Sequence, residues 1–68
     1  MGEFKFKIGD IVYNKYGTFT FEIVGHEDNT SYKLYSSSTE INRLPKEFVE
    51  SNFEKDSLAT IRNKQPYN

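Results

Sequence analysis

Two runs in which bulky apolar side chains alternate with polar ones constrain this chain more than any other feature. In Glu3-Phe4-Lys5-Phe6-Lys7-Ile8, the apolar residues Phe4, Phe6 and Ile8 are separated by charged ones. Across Thr18–Val24, Phe19, Phe21 and Ile23 face one way, and Thr18, Thr20 and Glu22 the other. A period of two places successive side chains on opposite faces, the mark of a half-buried β-strand. Gly9-Asp10 interrupts the first run and reads as a turn or bulge, after which Ile11-Val12-Tyr13 resumes strand composition. Asn14-Lys15-Tyr16-Gly17 supplies a turn, and strands so close in sequence are expected to pair antiparallel.

Gly25 to Thr30 reads as a polar loop, and Ser31 to Ser36 as a third strand, with Tyr32 and Leu34 inward and Tyr35 outward. Ser36-Ser37-Ser38-Thr39 breaks regular structure. A single helical turn fits Glu40 to Leu44, with Ser38 or Thr39 as N-cap and Pro45 as its limit. Residues 46–54 allow two readings. One is a helix that begins at Pro45; the other is a strand at Glu47–Glu50, a turn at Ser51-Asn52 and a closing strand from Phe53. At 100° per residue, Val49, Phe53, Leu58 and Ile61 spread over about 180° with Phe48 outside, so the strand reading is preferred. The end of the chain, Lys64-Gln65-Pro66-Tyr67-Asn68, is expected to fray, giving a domain over 1–57 and a partly disordered tail over 58–68.

Sixty-eight residues make one domain, whose core supplies only roughly 3–5 kcal/mol of net stability. Aromatic residues are 16% of the chain against 35% for all hydrophobic ones, so rings carry nearly half of the apolar inventory. Phe4, Phe6, Phe19, Phe21, Phe48 and Phe53 are the expected core rings. There is no cysteine, which excludes disulfides and thiolate metal sites and fits a reducing, cytoplasmic setting. The first residues lack a signal-peptide pattern, and no stretch approaches the roughly 20 apolar residues of a membrane helix. The net charge of −1 is not the positive excess of a dedicated nucleic-acid binder.

The stretch Phe6-Lys7-Ile8-Gly9-Asp10-Ile11-Val12-Tyr13 resembles the opening strand and bend of many bacterial and phage SH3-like barrels. Tyr16 to Val24 resembles the strand that follows, and Phe48-Val49-Glu50-Ser51-Asn52-Phe53-Glu54 is similar to the end of such domains. The resemblance covers about residues 4–56 and implies a small five-stranded SH3-like barrel, mostly β, with at most one short helical turn. The chain has no tryptophan and no proline-contacting motif, so proline-peptide recognition is not implied.

Equipment for catalysis is sparse. His26 is the single histidine; Glu27 and Asp28 adjoin it, but consecutive side chains on an extended chain point apart and cannot close on one ion. It reads as a solvated loop histidine, and no metal, cofactor or catalytic residue is expected. Ser31, Ser36, Ser37 and Ser38 lack a positioned base and an oxyanion hole. Tyrosine, large, stiff and tipped with a hydroxyl, suits interfaces, so Tyr13, Tyr16 and Tyr35 are the candidate partner-binding residues. Glu47, Glu50 and Glu54 are candidates beside them, as a locally acidic surface. The expected function is a non-catalytic protein-binding module, a monomer or weak dimer. It would act as an inhibitor or accessory protein of phage or mobile-element type that occludes a partner surface. The alternative is weak nucleic-acid binding through Lys5, Lys7 and Lys15 with tyrosine stacking, joined by Arg62 and Lys64.

Overall fold

The computed structural model describes residues 3–17, 19–37 and 40–65. Five antiparallel strands form one sheet: β1 (Ile11–Asn14), β2 (Thr20–Glu27), β3 (Ser31–Ser36), β4 (Glu40–Pro45) and β5 (Phe53–Lys55). Their order across the sheet is β4-β3-β2-β1-β5. Helix α1 (Lys46–Asn52) joins β4 to β5, and α2 (Ser57–Lys64) follows β5.

The alternation in Thr20–Ile23 becomes part of β2, as expected, but the strand starts later and runs on to Glu27. Thr18 lies outside the described residues. Gly25, His26 and Glu27, expected in a loop, pair with Lys33, Tyr32 and Ser31 beyond a bulge at Ile23/Gly25. The chain reverses in three residues, Asp28, Asn29 and Thr30; Asp28 and Asn29 have φ of 54° and 60°, and the Thr30 N–H donates to the Glu27 carbonyl at 3.0 Å. Two successive left-handed residues match the twist of a hairpin, and Asp and Asn tolerate them.

The first alternating run is not a strand. Its backbone hydrogen bonds go to side chains instead of to a ladder. The Lys5 N–H donates to Glu50 Oε2 at 2.8 Å, the Phe6 N–H to the Tyr32 hydroxyl at 3.0 Å, and His26 Nε2–H to the Phe6 carbonyl at 2.8 Å. Phe6 is buried and Phe4 packs partly against the core. Ile8, expected on the same face, is 58% exposed because the chain turns there. Lys7 to Asp10 is that turn, with the Asp10 N–H on the Lys7 carbonyl at 3.0 Å and Gly9 at φ +96°. A Cβ on Gly9 would also stand 2.8 Å from Lys64 Cε. The left-handed backbone alone costs a non-glycine residue about 1–2 kcal/mol. Gly9→Ala is therefore expected to lower the urea midpoint by at least that free energy with an unchanged slope; an unaltered midpoint would show that the turn relaxes without cost.

Three further expectations are corrected. Glu40 to Leu44 is not a helical turn but part of β4, paired from Ser36↔Glu40 to Ser31↔Pro45; proline is tolerated there because β4 is an edge. The caps named for that turn, Ser38 and Thr39, lie outside the described residues. Residues 46–52 are α1, not a strand and turn; Pro45 (φ −59°, ψ 141°) precedes the helix and Val49 is its buried residue. The closing strand from Phe53 does form, as β5. Within the segment expected as a tail, Ser57–Lys64 forms α2, with Asp56 as N-cap accepting from the Ala59 N–H at 3.0 Å. Two helices thus replace the single helical turn of the sequence reading.

The core is Phe6, Val12, Ile23, Tyr32, Leu34, Val49 and Phe53, with Phe4, Phe21 and Leu44 packed against it. Phe19 and Phe48, two of the six expected core rings, are exposed. Tyr32 and the aliphatic residues fill the space instead. α1 lies over this core face through Val49; the other face of the sheet carries the candidate site.

Candidate interaction groove

Register defines the second face. Ile11 pairs with Glu22, Glu22 with Tyr35, and Tyr35 with Ile41, so these four form one row across β1, β2, β3 and β4. Cross-strand partners lie on the same face, about 5 Å apart. Tyr13 and Glu54 pair on this face two residues along β1 from Ile11.

α2 stands beside this row because its start continues the sheet. The Asp56 N–H donates to the Ile11 carbonyl at 2.8 Å, and the Ile11 N–H donates to Thr60 Oγ1 at 2.8 Å. The buried Thr60 side chain thus takes over from a ladder partner. At the far end of the helix, Lys64 Nζ meets Asp10 Oδ1 at 2.9 Å. Asn63 Nδ2 donates to the Gly9 carbonyl at 2.9 Å and to Glu22 Oε2 at 3.3 Å. Asp10 is 1% exposed and also accepts the Lys7 N–H at 2.9 Å. Burial acts to raise its pKa, but the Lys7 and Lys64 hydrogen bonds and the charges of Lys55 and Lys64 outweigh it and hold the carboxyl below its ordinary 3.8.

Between α2 and the sheet runs an open groove of about 610 Å³. Leu58, Ala59, Arg62 and Asn63, on one side of the helix, form one wall. Ile11 and Tyr35 supply apolar side chains from the sheet, and Thr20, Phe21, Glu22, Ser36 and Asp56 complete the lining. Leu58 is 62% exposed and Tyr35 43%.

No family model, curated protein or solved structure matches this chain. The geometry itself therefore bears the functional argument.

Of the residues expected at a partner site, Tyr35 lines the groove. Tyr13 shares its face, half-buried, with its hydroxyl donating to Glu54 Oε1 at 2.9 Å. That bond, with the Glu54 charge, pushes the Tyr13 hydroxyl above its ordinary 10. Tyr16 is 83% exposed in the β1–β2 turn. The acids do not gather. Glu54 lies on the groove side of the sheet, 4.0 Å from Lys15 Nζ, while Glu47 and Glu50 ride α1 on the core side. Glu50 is not a free surface acid, since its Oε2 accepts the Tyr32 hydroxyl at 2.5 Å as well as the Lys5 N–H.

His26 is exposed, but it lies in β2 and not in a loop. Its ring stacks on Phe4, centroids 4.0 Å apart and 2° from parallel, and its Nε2 holds the Phe6 carbonyl. No group of three or more potential metal ligands occurs among the described residues.

The basic residues are dispersed. Lys5 Nζ lies 5.4 Å from the Phe6 ring centroid, Lys15 is near Glu54, and Lys64 is engaged with Asp10. No helix among the described residues is long and apolar enough to cross a membrane.

The sequence reading missed Leu58, Ala59 and Asn63 of the helical wall and named Arg62 only as part of the alternative nucleic-acid surface. A signal was present in Asp56, a good N-cap, followed by a segment rich in the helix formers Leu58, Ala59, Arg62 and Lys64.

Proposed function

We propose that this chain is a small non-catalytic protein-binding module that engages its partner through the groove between α2 and the outer sheet face. The observation that carries the reading is that Leu58 and Tyr35, both exposed, line one groove, Leu58 from α2 and Tyr35 from the sheet. Apolar surface in such an arrangement marks an interaction site on a small protein. An SH3-like barrel remains the proposed architecture. Its support is the strand order β4-β3-β2-β1-β5 with a short helical link between the two edge strands. Occlusion of a partner surface, in the manner of an inhibitor or accessory protein, is the proposed mode of action, in the cytoplasm.

The test is affinity capture with wild type and with a Tyr35→Ala/Leu58→Asp double variant, both checked for folding by circular dichroism. The expected result is a protein retained by wild type at moderate salt and lost with the double variant. Equal retention by both would overturn the groove as the site. Nucleic-acid binding through Lys5, Lys7 and Lys15 has less support because the cations are scattered and partly paired. A mobility shift with single-stranded DNA or RNA that collapses as salt rises would restore that reading in place of this one.

A further inference from the structure

β4 is an edge strand, and its register fixes which of its backbone groups look outward. The Lys46 N–H donates to the Thr30 carbonyl at 2.8 Å, one position beyond the Ser31↔Pro45 pair. Hydrogen-bonded and non-hydrogen-bonded pairs alternate along an antiparallel ladder. Glu40, Asn42 and Leu44 therefore exchange bonds with β3, while Ile41 and Arg43 direct their N–H and C=O groups away from it. Pro45, which has no N–H, occupies another outward position. Among the described residues β3 is the only strand beside β4, and nothing pairs with the outward groups of Ile41 and Arg43. A row of such donors and acceptors is a template for a further strand. Charge on an edge normally guards it, but here the guard is turned away. Arg43 Nη1 reaches back over β3 to Glu27 Oε1 at 2.7 Å, and Ile41, on the same face, is 61% exposed.

We propose that β4 pairs with β4 of a second copy of this chain, antiparallel, about a two-fold axis at Asn42. What selects a second copy is that the strand complements itself in this register. Ile41 of each copy stands opposite Arg43 of the other, so the outward N–H and C=O groups of all four residues bond at once. Glu40 faces Leu44 and Asn42 faces its own copy, so no like charges stand opposite each other. Sliding the copies by two residues one way brings Arg43 against Arg43; sliding them the other way carries Arg43 past the end of the strand. The aliphatic stem of Arg43, its head held by Glu27, lies against the exposed Ile41 of the other copy. A net charge of −1 opposes such an association only weakly. The two-fold axis stands normal to the sheet, so the five strands of each copy continue as one sheet and both grooves open on the same face. The pairing uses an edge that the groove does not include, so it stands or falls apart from the protein-binding reading.

Sedimentation equilibrium of the full-length protein, with amide hydrogen exchange at low and high concentration, tests this directly. One strand pair is a small interface, so the dimer is expected to dissociate with a constant of roughly 0.1–1 mM. The Ile41 and Arg43 amides should then exchange about two- to fivefold more slowly at about 1 mM than at about 10 µM, the factor that mass action sets for such a constant. Those of Asn42 and Leu44, already bonded to β3, should be slow at both concentrations. Ile41→Lys sets a second cation opposite Arg43 of the other copy. Arg43→Pro removes an outward N–H at an edge position where proline is tolerated. Both variants should remain monomeric at about 1 mM with amide dispersion like that of wild type; should Arg43→Pro not fold, Ile41→Lys decides. A wild type that stays monomeric at about 1 mM overturns the proposal, and so does a dimer that survives Ile41→Lys. Concentration-dependent shifts at Leu58 and Tyr35, with none at Ile41 and Arg43, would place self-association in the groove and equally overturn pairing through β4.

Discussion

Tyr32→Phe is expected to destabilise the protein by about 2–4 kcal/mol, although it removes a single oxygen atom. Tyr32 is fully buried, and its hydroxyl is the junction between the N-terminal segment, the sheet and α1. It accepts the Phe6 N–H at 3.0 Å and donates to Glu50 Oε2 at 2.5 Å, while the same carboxylate oxygen accepts the Lys5 N–H at 2.8 Å. Burial, with the hydrogen bond to Glu50, pushes the hydroxyl well above its ordinary pKa of 10, so it remains a donor throughout the neutral range. For Glu50, burial acts to raise the pKa. The hydrogen bonds from Tyr32 and Lys5, with the charges of Lys46 and Lys5, outweigh it and leave the carboxyl below its ordinary 4.5.

Phenylalanine fills the same volume but leaves the Phe6 amide without its acceptor and the Glu50 carboxylate without its strongest donor. A domain of this size holds only roughly 3–10 kcal/mol in total, so the loss lowers the melting temperature by roughly 10–25 °C. The N-terminal segment should also become a site of early proteolysis, since two of the three backbone bonds that hold Lys5 and Phe6 run through Tyr32 and Glu50. Tyr35→Phe, on the exposed face, is the control and should change stability by no more than about 0.5 kcal/mol. Equal melting temperatures for Tyr32→Phe and wild type would show that the junction does not hold the segment.

The same junction shows why half of the alternation was legible and half misleading. Thr20–Ile23 sits in a ladder with neighbours on both sides, so its period reports its two faces. Phe4-Lys5-Phe6-Lys7-Ile8 has the same period, yet the Lys5 and Phe6 amides and the Phe6 carbonyl are taken by Glu50, Tyr32 and His26, residues 20 or more positions away. Binary pattern cannot reveal that competition. α1 was illegible for another reason: its seven residues bury only Val49, so there is no stripe to detect. Its helical state comes from docking on the core, and the apolar residues that would extend a stripe from Val49, Leu58 and Ile61, belong to a different helix. Tyr35 reached the groove on strand alternation alone. Leu58 and Arg62, which line the groove with it, belong to a helix that is set by contacts distant in sequence, from Asp56 and Thr60 to Ile11 and from Lys64 to Asp10, and local pattern does not mark them.

Asp10 carries the second large effect. Its Oδ2 accepts the Lys7 N–H at 2.9 Å, its Oδ1 accepts Lys64 Nζ at 2.9 Å, and its carbonyl accepts the Ile23 N–H at 2.9 Å. One buried residue thus closes the turn around Gly9, joins it to β2 and holds the end of α2. Asp10→Ala leaves the Lys7 amide and the Lys64 ammonium without this acceptor and is expected to cost about 2–3 kcal/mol; Lys64 is partly exposed, which limits its share. Asp10→Asn keeps the volume and removes the charge, so its effect should depend on pH in a defined direction. The folded-state pKa lies below the ordinary 3.8, and that of Glu50 below 4.5, so folding releases protons from both groups in acid. Their contribution is fully present above those ordinary values and is lost as pH falls through the depressed ones. Urea midpoints measured from pH 7 down to pH 2.5 should fall steeply for wild type below about pH 5 and less steeply for Asp10→Asn, with the two curves converging at the acid end. Parallel curves would mean that the Asp10 charge contributes nothing to the fold, and that Lys64 packs against Gly9 only through its methylene chain.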